Sequence, residues 1–142
     1  MKLLALELEK ETERIRNNGK KKRVLIIDDD PLYAALVSDW LRGTYLVEAV
    51  TDGMQAIKWL ANNATDLILL DYEMPVVNGP QILEMFRAER DTASIPVIFL
   101  TGNGKKESIE RVLSLKPQGY LLKITTRQKL LDTIEAFFAK QQ

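Results

Sequence analysis

The chain has 142 residues, 46% of them hydrophobic, and equal numbers of basic and acidic side chains, so its formal net charge is zero. That size suits one globular domain with a real core, and the neutral balance points neither to nucleic acid nor to an anionic membrane as a direct partner. Cysteine and histidine are both absent, which excludes disulfides, thiolate metal sites, an imidazole base and a histidine zinc ligand.

No apolar run approaches the roughly 18 residues of a membrane span. Glu7 interrupts the opening "MKLLALELEK" before the apolar core of a secretory signal could form. The expectation is a soluble, cytoplasmic protein without membrane insertion.

Residues 1–22 predict an N-terminal amphipathic helix followed by a basic linker. Met1, Leu4, Leu8 and Ile15 follow a heptad-like spacing, although Glu11 takes a core position. "NNG" at 17–19 reads as a helix stop and "KKKR" at 20–23 as a solvated linker. Residues 1–23 carry eight Lys/Arg against four Glu, a net +4, which leaves −4 on the remainder. Two readings stay open: a helix resting on its own domain or ordered on contact, and a dimerising or signal-carrying helix. A homodimer is therefore an open expectation.

Residues 23–142 alternate short apolar runs with helical patterns five times. The runs are Val24–Ile27, Tyr45–Val50, Leu67–Leu70, Val97–Leu100 and Tyr120–Leu122. Most are continuously apolar, as strands buried on both faces of a parallel sheet should be. Between and after them come "PLYAALVSDWLRG", "GMQAIKWLANN", "GPQILEMFRAER", "KKESIERVLSLK" and "TRQKLLDTIEAFFAK". In the last, Leu130, Leu131, Ile134, Phe137 and Phe138 make one helix face. Trp40, Trp59, Phe86, Phe137 and Phe138 sit at helical spacing among aliphatics and read as core. The expected fold is a doubly wound α/β domain with a five-stranded parallel sheet in the flavodoxin-like order 2-1-3-4-5. Strands one and three then meet at the topological switch point, with the site at their C-terminal edge.

"VLIIDDDP" runs four apolar residues straight into Asp28, Asp29 and Asp30. Asp30 is explained as a helix N-cap, with Pro31 at the first helical position. Asp28 and Asp29 exceed what capping requires, and Asp71 ends "DLILLD" in the same way. The topology gathers these three acids in one cleft. Two unit charges about 5 Å apart repel by roughly 3 kcal/mol at an effective dielectric near 20, so the cluster calls for a proton, a cation, or both. Hard oxygen ligands with few protein donors suit Mg²⁺. Thr101 ends "VIFLT" and Lys123 ends "GYLLK". At the same sheet edge, this hydroxyl and ammonium could bind the oxygens of a phosphoryl group on Asp71. Singly, Thr101 reads as a cap or turn and Lys123 as an edge-protecting charge; four such strand ends together do not.

From Val24 to Lys140 the sequence resembles a response-regulator receiver domain of two-component signalling, of the CheY-like superfamily. "VLIIDDDP" is similar to the family's first-strand acidic motif and "DLILLDYEMPVVNG" to its phosphoacceptor strand and following loop. "VIFLTG" and "GYLLK" are similar to its later Thr and Lys motifs, and "TDGMQAI" to the segment after the second strand. The resemblance implies that Asp71 accepts the phosphoryl group. It implies Mg²⁺ held by Asp28, Asp29, Asp71 and the backbone carbonyl of Glu73. Thr101 would bind the phosphoryl group, Lys123 would pair with Asp71 and then with phosphate, and Tyr120 would be the switch aromatic that follows Thr101. Glu73 and Asn103 would tune the lifetime of the phosphate. The implied partners are a histidine kinase or histidine phosphotransfer protein as donor and a downstream effector protein or domain. The domain would catalyse only its own phosphorylation and dephosphorylation.

Two positions depart from the family pattern. Its usual Lys-Pro, with a cis peptide, is Lys123-Ile124 here, and a cis bond without proline costs roughly 2.5–4 kcal/mol. The loop is therefore either trans or strained. Lys116-Pro117 replaces the usual Gly-Ala before the fifth strand. Phosphorylation is expected to survive both changes. One rival is a receiver-like scaffold that signals by binding alone. Another is a phosphatase of the haloacid dehalogenase type, whose nucleophile usually belongs to the first strand, whereas "DYE" here follows the third. No output domain is expected within 1–142.

Overall fold

The computed structural model describes residues 21–102 and 106–141, and for 106–108 the backbone alone. The helix expected over 1–22 lies, through residue 20, outside the described residues, as does Asn103. In chain order the elements are β1 (Arg23–Ile27), α1 (Pro31–Leu41), β2 (Leu46–Val50), α2 (Gly53–Leu60), β3 (Leu67–Asp71), α3 (Gly79–Ala88), β4 (Val97–Thr101), α4 (Lys106–Ser114), β5 (Gly119–Leu122) and α5 (Arg127–Lys140). All four strand pairings are parallel, in the order β2-β1-β3-β4-β5.

Strand alternation divides the apolar residues into two cores. Val24, Ile26, Leu67, Leu69, Ile98 and Leu100 face α1 and α5, where Val37, Leu41, Leu130, Ile134 and Phe138 close on them. Leu25, Ile27, Ile68, Leu70, Val97 and Phe99 face the other helices and meet Ala56, Ile82, Leu83, Phe86 and Val112. Covering both faces explains why the inner strands read as unbroken apolar runs. At the margins the pattern loosens: β2 exposes Glu48 and Ala49, and every residue of β5 is half-buried.

The aromatic expectation needs correction. Phe86 and Phe138 are buried, but Trp40, Trp59 and Phe137 are only partly so, packed at the rims of the two cores. Helical spacing puts a side chain on the inward side without saying whether the neighbouring layer extends far enough to cover it. Trp59 instead lies under the Arg23 guanidinium, 5.7 Å from its ring centroid. Strand ends shift for a related reason. β3 and β4 each continue one residue past the apolar run, through Asp71 and Thr101, because Asp71 still pairs with Leu100 and Thr101 with Leu122. The ladder is made by backbone, which does not notice side-chain polarity.

Among the described residues, four helices start with a side-chain cap. Asp30 accepts from the N–H groups of Leu32 and Tyr33 at 3.0 and 3.3 Å, with Pro31 opening α1. Asp52 caps α2 through Gln55 at 2.8 Å, Asn78 and Gln81 form a reciprocal capping box on α3, and Thr126 caps α5. Each cap satisfies an N–H that the first helical turn leaves open. Between β5 and α5, the Lys123–Ile124 peptide is trans, since no cis bond occurs among the described residues. Of the two expected outcomes for this loop, the unstrained one holds.

Candidate functional site

The register fixes who meets whom at the C-terminal edge. Ile27 pairs with Leu70 across β1 and β3, so Asp28 and Asp71 come next, side by side. Both continue the parity of Ile26 and Leu69, and therefore point toward α1 and α5. Lys123 shares that side through Leu121, whereas Thr101 and Tyr120 follow the parity of Phe99 on the opposite core. One sheet edge thus carries two acids and an amine on one face, with a hydroxyl and an aromatic on the other.

Asp28 and Asp71 are almost fully buried, at 1% and 2% exposure, while Asp29 is open to solvent. Carboxylate oxygens of the three lie within 4.8 Å of one another. The Lys123 ammonium sits 2.8 Å from Asp28 Oδ2 and 3.2 Å from Asp71 Oδ1. Sequence resemblance had paired Lys123 with Asp71; it bridges both acids and is nearer to Asp28. The other Asp28 oxygen, Oδ1, accepts the Asp30 N–H at 2.8 Å. Asp71 Oδ1 also accepts the Glu73 N–H at 3.3 Å. Asp71 Oδ2 is buried and has no hydrogen-bond partner among the described residues.

The electrostatics follow from this crowding. Burial, reinforced by the Asp28 carboxylate, pushes Asp71 up to about 7, against the pull of Lys123. For Lys123, burial alone would lower the ammonium, but the hydrogen bond to Asp28 and the charges of Asp71 and Asp28 outweigh it. Among the described residues, the two buried acids share one cation, Lys123, with Asp29 at the mouth of the pocket. A hard divalent ion fits this donor set, since it would satisfy the orphaned Asp71 oxygen and offset the surplus negative charge.

Thr101 is buried at 1% exposure at the end of β4, and its carbonyl accepts the Lys123 N–H at 2.8 Å. Tyr120, which pairs with Phe99 across β4 and β5, is half-buried and packs on the core that contains Phe99. Glu73 is exposed in the loop after β3. That loop holds Val76 at φ 69°, with the Val77 N–H bonded back to the Pro75 carbonyl at 2.8 Å. A β-branched residue in the left-handed region costs on the order of 1–3 kcal/mol. Beside the acids a groove of about 640 Å³ opens, lined by Asp29, Thr51, Met54, Met74 and Val76 among others.

Two residues of the site went unnoticed in the sequence. Gly79 packs so tightly under the acid that a Cβ there would collide with the Asp71 carbonyl oxygen and lie 2.9 Å from Tyr72 Cα. Its N–H binds the Tyr72 carbonyl at 2.9 Å. A glycine opening a helix gives no hint of this close approach. Tyr33 lies with its ring centroid 4.8 Å from the Lys123 Nζ, and its hydroxyl donates to the Lys123 carbonyl at 3.3 Å. Ninety positions separate the two, so only the fold brings them together.

The chain is similar in sequence and fold to known proteins. The chain is 27% identical over 124 residues to the chemotaxis protein CheY-3 of Vibrio cholerae, covering 86% of this chain and 95% of that protein. It is 35% identical over 100 residues to a V. cholerae protein named "Probable cyclic di-GMP phosphodiesterase", covering 70% of this chain but only 23% of that protein. Among solved structures, CheY4 of V. cholerae superposes with a TM-score of 0.76 at 26% identity, over 82% of this chain and 98% of that one. The receiver domain of a signal transduction histidine kinase from Syntrophus aciditrophicus gives 0.76 at 26% identity, over 84% and 91%. The family model of the response regulator receiver domain matches residues 24–135. From β1 into α5, then, this chain belongs to the response regulator receiver domain family.

Proposed function

We propose that the domain takes a phosphoryl group from a phosphohistidine donor onto Asp71 and converts that event into a change on its α4–β5–α5 face. Membership in the receiver family supports phosphoacceptor signalling in general. The observation that carries the finer reading is the buried Asp71 Oδ2, without a hydrogen-bond partner among the described residues, beside an oxygen already held by Lys123 and the Glu73 N–H.

Asp28, Asp29 and Asp71, with the Glu73 backbone carbonyl, would hold Mg²⁺, which when bound supplies positive charge against the phosphoryl oxygens. The chain's own residues do the rest. Asp71 Oδ2 donates its lone pair to phosphorus while the donor's P–N bond breaks; the imidazole keeps that electron pair and takes a proton from water. Lys123 exchanges the Asp71 carboxylate for a phosphoryl oxygen. The buried Thr101 hydroxyl binds another, and Tyr120, half-buried on the adjacent strand, follows. This is local charge rearrangement biasing a two-state element. Catalysis is limited to the domain's own gain and loss of phosphate, and it is positioning plus charge neutralisation. Glu73 at the site's mouth, and Asn103 by sequence, are assigned to tuning the phosphate's lifetime. A histidine kinase or phosphotransfer protein is the proposed donor partner, and an effector protein or domain the receiver of the signal.

The test is intact mass after incubation with acetyl phosphate and Mg²⁺. The unaltered chain should gain one phosphoryl group and Asp71→Asn none. A folded chain that gains nothing from acetyl phosphate or phosphohistidine would instead favour the binding scaffold. Sustained release of phosphate from phosphomonoesters would overturn the assignment in favour of a phosphatase.

A further inference from the structure

We infer that Tyr33 is a positioning residue for Lys123, holding the ammonium over the acids from α1. The inference rests on the phosphoacceptor reading for its consequence, though not for its geometry. Two independent contacts join the residues. The ring lies beneath the ammonium at 4.8 Å, within the range where the aromatic quadrupole attracts a cation. The hydroxyl donates to the Lys123 carbonyl at 3.3 Å. Burial, the dominant influence, pushes the Tyr33 hydroxyl up to about 12, so it stays a donor throughout the physiological range.

The need for such a restraint is visible in the chain. A lysine is a point charge on a flexible four-carbon stem, and fixing it costs rotamer entropy. Its backbone must be fixed first. The Lys123 N–H is tied to Thr101 on β4 at 2.8 Å, and the Thr125 N–H closes a turn onto the Leu122 carbonyl at 2.9 Å. Residue 124 is isoleucine, 87% exposed, so no proline ring limits the conformation of residue 123 from the far side. Tyr33 restrains that side. It can do so because it is itself anchored: its N–H binds the capping carboxylate of Asp30 at 3.3 Å. The third aspartate of the run therefore reaches the site indirectly, through the first turn of α1, Tyr33 and Lys123.

Tyr33→Phe keeps the ring and removes the hydroxyl; Tyr33→Leu removes both. With acetyl phosphate and Mg²⁺, phosphoryl uptake should slow about threefold in Tyr33→Phe, since the lost hydrogen bond is long, and about tenfold in Tyr33→Leu. In a Lys123→Ala background, Tyr33→Leu should cause no further slowing, the mark of a residue acting through its partner. Mg²⁺ affinity by calorimetry should hold within about twofold, because the acid cluster is untouched. Proton NMR supplies a readout free of phosphorylation: the Lys123 Hε resonances should be ring-shifted upfield in the unaltered chain and in Tyr33→Phe, and return to ordinary values in Tyr33→Leu. Equal slowing with and without Lys123 would make Tyr33 merely structural and overturn the inference, as would Lys123 resonances unmoved by Tyr33→Leu. If those resonances move as described while the unaltered chain gains no phosphate, the positioning contact stands and the phosphoacceptor reading falls.

Discussion

β3 and β5 end at the same edge of the same sheet, yet they are held very differently. Every residue of β3 is buried, with neighbours on both sides and cores on both faces. Every residue of β5 is half-buried, and among the described residues one of its edges is unpaired. Asp71, the proposed phosphoacceptor, belongs to β3, and Tyr120, the proposed switch residue, to β5. A reacting atom has to be placed to a fraction of an ångström, which a close-packed inner strand provides. A switching side chain has to change place at modest cost, which a partly solvated edge permits. Lys123 stands between these regimes: its stem leaves the edge strand, but its charge is clamped by Asp28, Asp71 and Tyr33.

The difference between centre and edge is greatest at Phe99 and Tyr120, which pair across β4 and β5. Phe99→Ala should cost about 4 kcal/mol in urea denaturation, and Tyr120→Ala only about 1–2 kcal/mol. Equal losses would mean the edge is as rigid as the centre.

Next in size is the penalty stored at Asp71. Its ordinary value is 3.8 and the folded one about 7. Below the first, both folded and unfolded chains are protonated there and nothing is lost. Between the two, the unfolded chain releases its proton while the folded one keeps it, so stability falls as pH rises to about 7 and then levels. Asp71→Asn removes that loss. In Mg²⁺-free buffer it should be more stable than the unaltered chain by about 3 kcal/mol at pH 8, shrinking toward pH 4. A stability difference that does not change with pH would show that Asp71 is not strained by its setting.

The smallest effect concerns how the edge half is fastened. Arg111 on α4 meets Glu84 on α3 at 2.7 Å, but both side chains are about half exposed. Arg111→Ala should cost less than about 0.5 kcal/mol, because packing through Val112, and not this pair, secures α4. A larger loss would assign the edge an ionic fastening.

Much of this was legible in the residues. Apolar runs of four marked each inner strand because burial on both faces leaves no place for alternation. Asp30 announced itself as a cap through Pro31, a local rule needing no tertiary information. Asp28, Asp29 and Asp71 stood out because charge directly after a buried strand is expensive unless used. Trp59 misled, since periodicity reports direction and not depth, and the Arg23 stack that covers it joins residues far apart in sequence.

By itself, then, the sequence determined the order of elements, the sheet they form and the acids that gather at its edge, because these depend on periodicity and on which residues end each strand. Packing between distant segments set the rest: which carboxylate oxygen has no partner among the described residues, that Lys123 lies nearer Asp28 than Asp71, and that Tyr33 and Gly79 belong to the site. Those outcomes turn on distances of a few ångströms between segments up to ninety residues apart. No local pattern encodes such distances; the packing of α1 and α3 against the strand ends creates them.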